Sequence, residues 1–398
     1  MPDSTLRSLF FQHIAQTTPD PMGLHIVSGK DCFLYDAEGN QYIDFISGIS
    51  VSSLGHSNPL IIHAVKKQLD SFNHVMVYGD FILSPQVRLA QKISEHLPSS
   101  ISSVYFVSSG SEAIEGGMKL AKKFTGRTKI IACKNAYHGS STQGAMSLLG
   151  DETFKQAFRP LIPDIHFIEF NNINTLSAID EKTACVFVEP IQSETGYLCA
   201  HPEFLQVLSN KCKQYGALLI MDEIQSGMGR TGKMFGFEHY NLTPDIVCLA
   251  KALGAGFPLG AFAASSEMMK CLSVDPVLGH LTTFGGNPVA CSAALASMDI
   301  LEQNEFLSLV KKKEKTIRNS LQNLPHVNHI SGKGLMLALH FDDENICQQV
   351  IRKCIENHII CDWFLFNGAA MRMAPPLIID DKLLIETCET ISKIVKNI

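Results

Sequence analysis

The chain has 398 residues, 45% of them hydrophobic, and a formal net charge of -6; that length suits two domains and a large core, and the acidic balance argues against nucleic acid or an anionic membrane as a partner. Its 12 cysteines are scattered without a CxxC pair or a secretory signal, which argues against a disulfide framework or a zinc site and for a reducing, cytoplasmic setting. No run is long and clean enough to cross a bilayer, and no metal is expected.

In chain order, CFLYDAEGNQYIDF (32–45) predicts a hairpin around Glu38, Gly39 and Asn40. Short apolar runs then alternate with helical patterns. SVYFV (103–107) precedes SSGSEAIEGGMKLAKKF, and KIIAC (129–133) precedes NAYHG. ACVFV (184–188) precedes EPIQSETG, ALLIM (217–221) precedes DEIQSG, and DIVCLA (245–250) precedes Lys251. Such runs predict a mainly parallel sheet covered on both faces, an α/β architecture. After about residue 287 come two helices, PVACSAALASMDILEQ and the lysine-rich FLSLVKKKEKTIRNSLQNL, the latter with a solvated basic face. A strand near GLMLALHF, a helix, strand-like HIICDWFLF and AAMRMAPPL, and a terminal helix follow. Cys347, Cys354 and Cys361 read as small core residues. Residues 1–50 are expected to pack with 288–398 as a smaller domain beside a large domain over 51–287.

Ser108, Asn135, Glu189, Asp222 and Lys251 each stand at or just past the end of a predicted strand. That is the edge where open α/β sheets bind ligands. Any one of them could be a turn former, but five together, three of them ionisable, point to a site. A lysine in an apolar, glycine-rich stretch must be paired, neutralised or used chemically. GMGRTG (227–232) matches a dinucleotide-binding pattern, yet it neither closes a strand nor opens a helix, so its glycines are read as shaping a loop.

Pyridoxal phosphate suits these parts, because it needs a Schiff-base lysine, an acid beside its ring nitrogen and a phosphate cradle. Lys251 and Asp222 supply the first two. SSGSEAIEGG (108–117) puts capping serines and Gly110 at a helix start, where free backbone N–H groups bind phosphate. Tyr137 offers an aromatic face. Simple capping, and a structural ion pair for Asp222, remain the alternatives.

SGSEA, YHG, EPIQ, DEIQSGMGRTG, the Lys251 segment, TFGGNP (283–288) and MRMAPPL (371–377) follow one another as in the class III, or ω, aminotransferases. YDAEGNQYIDFISGISVSSLGHSNP looks like that family too, so the resemblance covers nearly the whole chain. It is closest to acetylornithine and ornithine aminotransferases. The resemblance implies a fold-type I transferase dependent on pyridoxal 5'-phosphate (PLP). Such an enzyme has a large domain with a mainly parallel seven-stranded sheet and a smaller α+β domain built from both chain ends. It is normally a homodimer with active sites at the subunit interface.

The same resemblance implies residue roles. Lys251 bonds to the cofactor and later acts as the base, Asp222 pairs with the ring nitrogen, Tyr137 stacks on the ring, and Gln225 lies near the ring hydroxyl. Gly110 and Ser111 bind the phosphate, Thr283 reaches the phosphate of the neighbouring subunit, and His138 belongs to the same cofactor set. Arg372 matches the arginine that binds the α-carboxylate of 2-oxoglutarate or glutamate, and Glu194 the glutamate that masks it. A fixed ion pair is the alternative. The implied reaction moves the terminal amino group of an ω-amino acid or diamine to 2-oxoglutarate, giving glutamate and an aldehyde. Ser140, however, stands where acetylornithine and ornithine enzymes usually carry an arginine for the substrate's far carboxylate. A hydroxyl cannot replace a bidentate guanidinium. The donor stays open, as do 4-aminobutyrate or lysine transamination, decarboxylating transamination, and aminomutase or racemase chemistry. A non-catalytic binding protein on this fold would be expected to lack Lys251 or Asp222.

Overall fold

The computed structural model describes residues 3–303 and 305–398. Its central sheet has seven strands: Ser103–Val107 (β1), Lys129–Cys133 (β2), Ile165–Ile168 (β3), Thr183–Val188 (β4), Leu218–Asp222 (β5), Ile246–Leu249 (β6) and Gly260–Ala264 (β7). Their order is β1-β7-β6-β5-β4-β2-β3, and every pairing is parallel except the two made by β7.

Alternate residues of these strands feed two separate cores. Ile131, Val186, Leu219, Met221 and Val247 face one side, while Ile130, Cys185, Phe187, Ile220 and Cys248 face the other with the helix Gly110–Thr125. Burial on both faces is why the runs read as continuously apolar rather than alternating. Two strands had no such run. β3 carries His166 on an edge, and β7 is built of glycine and alanine around Phe262. Small residues are required there: a Cβ on Gly116 of the helix would lie 2.2 Å from the Phe262 ring.

Both chain ends build smaller sheets. The predicted hairpin forms between Phe33–Asp36 and Gln41–Asp44, with Asp36 Oδ1 accepting from Glu38 N at 3.1 Å and Asn40 N at 2.7 Å. Ile359–Ile360 adds to it in parallel. Two residues later Asp362–Phe364 joins a different sheet, of Val327–Lys333, Met336–Phe341 and Asn367–Met373. The stretch HIICDWFLF is therefore shared between two sheets rather than forming one strand. Cys347, Cys354 and Cys361 are fully buried.

The lysine-rich helix Phe306–Leu321 is not uniformly solvated. Lys311, Lys312 and Lys315 are exposed, but Lys313 is buried and donates to Leu377 O at 2.6 Å. Arg230, in GMGRTG, is also fully buried. It donates to Leu335 O (3.1 Å), Pro375 O (2.5 Å) and Ser53 Oγ (2.8 Å), and no carboxylate among the described residues pairs with it. Burial lowers its pKa to about 10. The segment is a loop, as read from the sequence, and it clamps chain ends together.

Candidate active site

A cavity of about 390 Å³ opens at the carboxyl ends of the parallel strands, lined by Ser108 after β1, Glu189 after β4, Asp222 at the end of β5 and Lys251 after β6. Asn135 is not part of it. That residue is exposed with φ 56°, a left-handed turn former that asparagine tolerates. Gly110, Ser111, Tyr137, His138 and Gln225 complete the wall.

Lys251 begins a short turn directly after β6 with φ 50°. A non-glycine residue costs roughly 1–2 kcal/mol in that region, and such strain concentrates at functional sites. Its amine has no hydrogen-bond or ion-pair partner among the described residues. Burial lowers its pKa, outweighing the nearby carboxylates of Glu194, Asp222 and Glu189. A desolvated, unpartnered amine is available as a nucleophile or base.

Asp222 faces the same space. Its Oδ1 accepts from Ile224 N at 2.9 Å, and its Oδ2 accepts from His138 Nδ1 at 2.7 Å. Burial alone would lower the pKa of His138, but the hydrogen bond and charge of Asp222 prevail and hold it above the ordinary value. His138 Nε2 and Gln225 Oε1 are buried without a partner. Glu189, whose pKa burial raises, accepts from Tyr137 N at 3.2 Å and Ser193 N at 2.8 Å, fixing the ring-bearing turn to the strand end.

The lining also includes the start of the helix Gly110–Thr125, capped by Ser109 Oγ, which accepts from Glu112 N at 3.2 Å. First-turn N–H groups of a helix have no intrahelical acceptor, so those of Gly110 and Ser111 are free for an anion. Gly139, with φ 104°, comes so close that a Cβ there would lie 2.2 Å from Ser111 Oγ.

Arg372 and Glu194 lie behind this wall. Arg372 Nη2 donates to Glu194 Oε2 at 3.0 Å, and both side chains are buried. Two neighbours were not foreseen. Asp362 Oδ1 accepts from Arg372 Nε at 3.0 Å, and the Tyr197 hydroxyl accepts from Arg372 Nη1 at 3.3 Å and from Gln225 Nε2 at 3.0 Å. Burial raises the Asp362 pKa to about 6 against the pull of Arg372. Asp362 was findable, since an acid inside apolar HIICDWFLF raises the same question as Lys251. Tyr197 carried no signal of its own. Ser140 is exposed, its Oγ 3.4 Å from Tyr137 Oη. Thr283 is exposed and lies outside the cavity of its own chain.

The family model for class III aminotransferases matches residues 14–395. The chain belongs to the class III aminotransferases. It is 37% identical over 385 residues to an acetylornithine aminotransferase of Caldanaerobacter subterraneus, covering 94% of this chain and 95% of that one. A relative of the same name from Methanopyrus kandleri is 38% identical over 360 residues, covering 89% and 90%. Among solved structures, ornithine aminotransferase from Toxoplasma gondii superposes with a TM-score of 0.91 at 29% identity, covering 99% of this chain and 95% of that one.

Class III aminotransferases depend on PLP, and the residues here fit it. The one cavity is lined by a free amine, a carboxylate backed by histidine, and a helix start that only small residues could approach. Unsatisfied Gln225 Oε1 and His138 Nε2 mark polar capacity that the protein alone leaves unused.

Glu223, next to Asp222, is buried and pins the following loop. Its Oε2 accepts from Ser226 Oγ (2.7 Å) and Gly236 N (2.8 Å), its Oε1 from Phe237 N (2.6 Å). Burial outweighs these donors and raises its pKa from 4.5 to about 7. Between those values the folded chain holds a proton that the unfolded chain has lost, so this group makes stability fall as pH rises through that window. Thermal unfolding across it should show Glu223→Gln with a flatter slope than the parent. Identical slopes would remove Glu223 from the account.

Proposed function

We propose that this enzyme moves the terminal amino group of an ω-amino acid or diamine, of the acetylornithine or ornithine kind, to a 2-oxo acid. 2-Oxoglutarate is the acceptor that the resemblance implies, giving glutamate while the donor leaves as an aldehyde. The observation that carries this reading is the unpartnered amine of Lys251 sharing one small cavity with the Asp222–His138 pair.

PLP, when bound, supplies an electron sink for the carbon that loses a proton. Lys251 would hold it covalently, Gly110 and Ser111 would bind its phosphate through backbone N–H groups, and Tyr137 would cover its ring. Asp222, which His138 fixes in place, would keep a proton on the ring nitrogen. Gln225, tied to Tyr197, would sit at the ring hydroxyl. With the cofactor bound, the neutral amine of Lys251 would serve as the base for the proton at that carbon. Arg372 binds the acceptor's α-carboxylate once Glu194 moves aside. Thr283, exposed on its own chain, would serve the second subunit of a homodimer, and we place the enzyme in the cytoplasm.

The direct test is a spectroscopic screen of the PLP-loaded enzyme with acetylornithine, succinylornithine, ornithine, lysine, 4-aminobutyrate, putrescine and alkylamines. At least one should convert the cofactor to its aminated form; failure of all would overturn the proposal.

The masking pair gives a second expected result. Arg372→Ala would leave Glu194 and Asp362 buried without a counter-charge, at about 3–5 kcal/mol of stability, so lysine is the better probe. Arg372→Lys keeps the charge but loses the planar fork. It should weaken the 2-oxo acid half-reaction about tenfold or more, the free-energy equivalent of losing one charge-assisted hydrogen bond, while the amine half-reaction changes less. Equal losses would count against the switch.

A further inference from the structure

A second cavity, of about 740 Å³, shares no lining residue with the first. It is an open cleft between the lysine-rich helix Phe306–Leu321, the end of the strand Val327–Lys333, and the segment holding Thr231 and His239. Lys311, Lys312, Lys315, Arg318, Lys333 and His239 line it, against one acid, Glu314. In a chain of net charge -6 this is a local concentration of positive charge.

Part of that charge is already engaged. Lys312 pairs with Asp381 at 2.5 Å. Glu314 accepts from Arg318 Nε at 2.9 Å and from Gly334 N at 2.7 Å, and the other Arg318 nitrogens donate to Ile330 O (2.7 Å) and Gly332 O (2.8 Å). The acid and the guanidinium fork therefore close on each other and on the backbone. Lys311, Lys315 and Lys333 have no ion-pair partner among the described residues. Lys311 and Lys315 stand four residues apart on the helix, where like charges repel. The stem of Lys311 packs against the loop, its Cγ 3.0 Å from where a Cβ on Gly232 would lie. Half-buried His239, with Nε2 3.1 Å from Thr231 Oγ1, feels the same field: burial lowers its pKa, and Lys333, Lys311 and Lys233 push it the same way.

We propose that this cleft binds a small polyphosphate group, inorganic or carried by a metabolite, through Lys311, Lys315 and Lys333. The site goes beyond the aminotransferase reading and stands or falls separately from it. Lysines bind phosphate as compact point charges, whereas the fork that would favour a paired carboxylate is already filled. A concave wall of one sign concentrates counter-ions. No phenylalanine, tyrosine or tryptophan lines the cleft, so a nucleobase has no ring to stack on and charge sets the affinity. The bound anion would replace repulsion between the helix and strand lysines with attraction to a shared partner, and so stabilise the folded chain.

The test titrates the PLP-loaded enzyme, whose own phosphate cradle is filled, by calorimetry without added magnesium. Inorganic tripolyphosphate and ATP should bind with similar Kd, below about 1 mM at about 0.1 M salt, and citrate more weakly. Raising the salt should weaken binding, and tripolyphosphate should raise Tm in a concentration-dependent way. Each of Lys311→Gln, Lys315→Gln and Lys333→Gln should weaken binding about fivefold, the equivalent of one solvent-screened ion pair, with the amine half-reaction unchanged. Lys182→Gln, at an exposed position outside the cleft, should bind as the parent does. No binding of tripolyphosphate, binding that all three cleft variants leave intact, or citrate binding tighter than the phosphates overturns the proposal. None of these results bears on transamination, which the amine screen tests by itself.

Discussion

Lys251→Ala should lower turnover by at least about 10²- to 10⁴-fold, the range for losing a well-placed base, and should leave protein that borohydride no longer links to PLP. Lys251 is the cavity's single amine, unpaired, with a pKa lowered by burial. A lowered value enlarges the neutral fraction at any given pH, and the neutral amine is the form that both bonding to a carbonyl and proton transfer require. In the parent enzyme, peptide mapping after reduction should find the cofactor on Lys251. An unmodified Lys251 in reduced, cofactor-loaded protein would sink the assignment whatever the activity of the alanine variant.

Asp222→Asn should cost about 10²- to 10³-fold in both half-reactions, the range for removing a preorganised electrostatic partner, with most of the cofactor still bound. The amide oxygen can still accept from Ile224 N, so the turn after β5 survives. What disappears is the charge that faces the cavity and holds His138 above its ordinary pKa. Cofactor content measured beside the two rates separates this from simple loss of PLP. A near-normal rate at full occupancy would remove Asp222 from the chemistry.

The strand ends that build the site were readable because β1, β4, β5 and β6 lie between two covered faces and appear as unbroken apolar runs with a polar residue after each. β3 and β7 escaped for opposite reasons: one is a short edge strand with a histidine, the other uses glycine and alanine to let a helix and a loop approach. Asn135 obeyed the same positional rule as Asp222, yet it is an exposed left-handed turn residue outside the cavity. Residues around Arg372 come from distant stretches, and Glu194 is 178 positions away. Residue pattern alone had no means of joining them, and only the family resemblance suggested that pair. Asp362 stood out as an acid in an apolar stretch, but nothing local tied it to Arg372, and Tyr197 carried no signal at all. Lys313 shows the limit of reading a charge run as solvent-facing, since one member can turn inward to a carbonyl.

Arg230 bears on how the two ends of the chain are held to the site. Its guanidinium is gripped at once from residue 53, residue 335 and residue 375, well away from water. Sliding any of these three stretches past the others would take hydrogen-bond partners from a cation in a dry interior, which is costly. Arg230 thus acts as a rivet: three stretches distant in sequence are held to one planar cation, and the wall beside Val51 keeps its registry with the strand that bears Arg372.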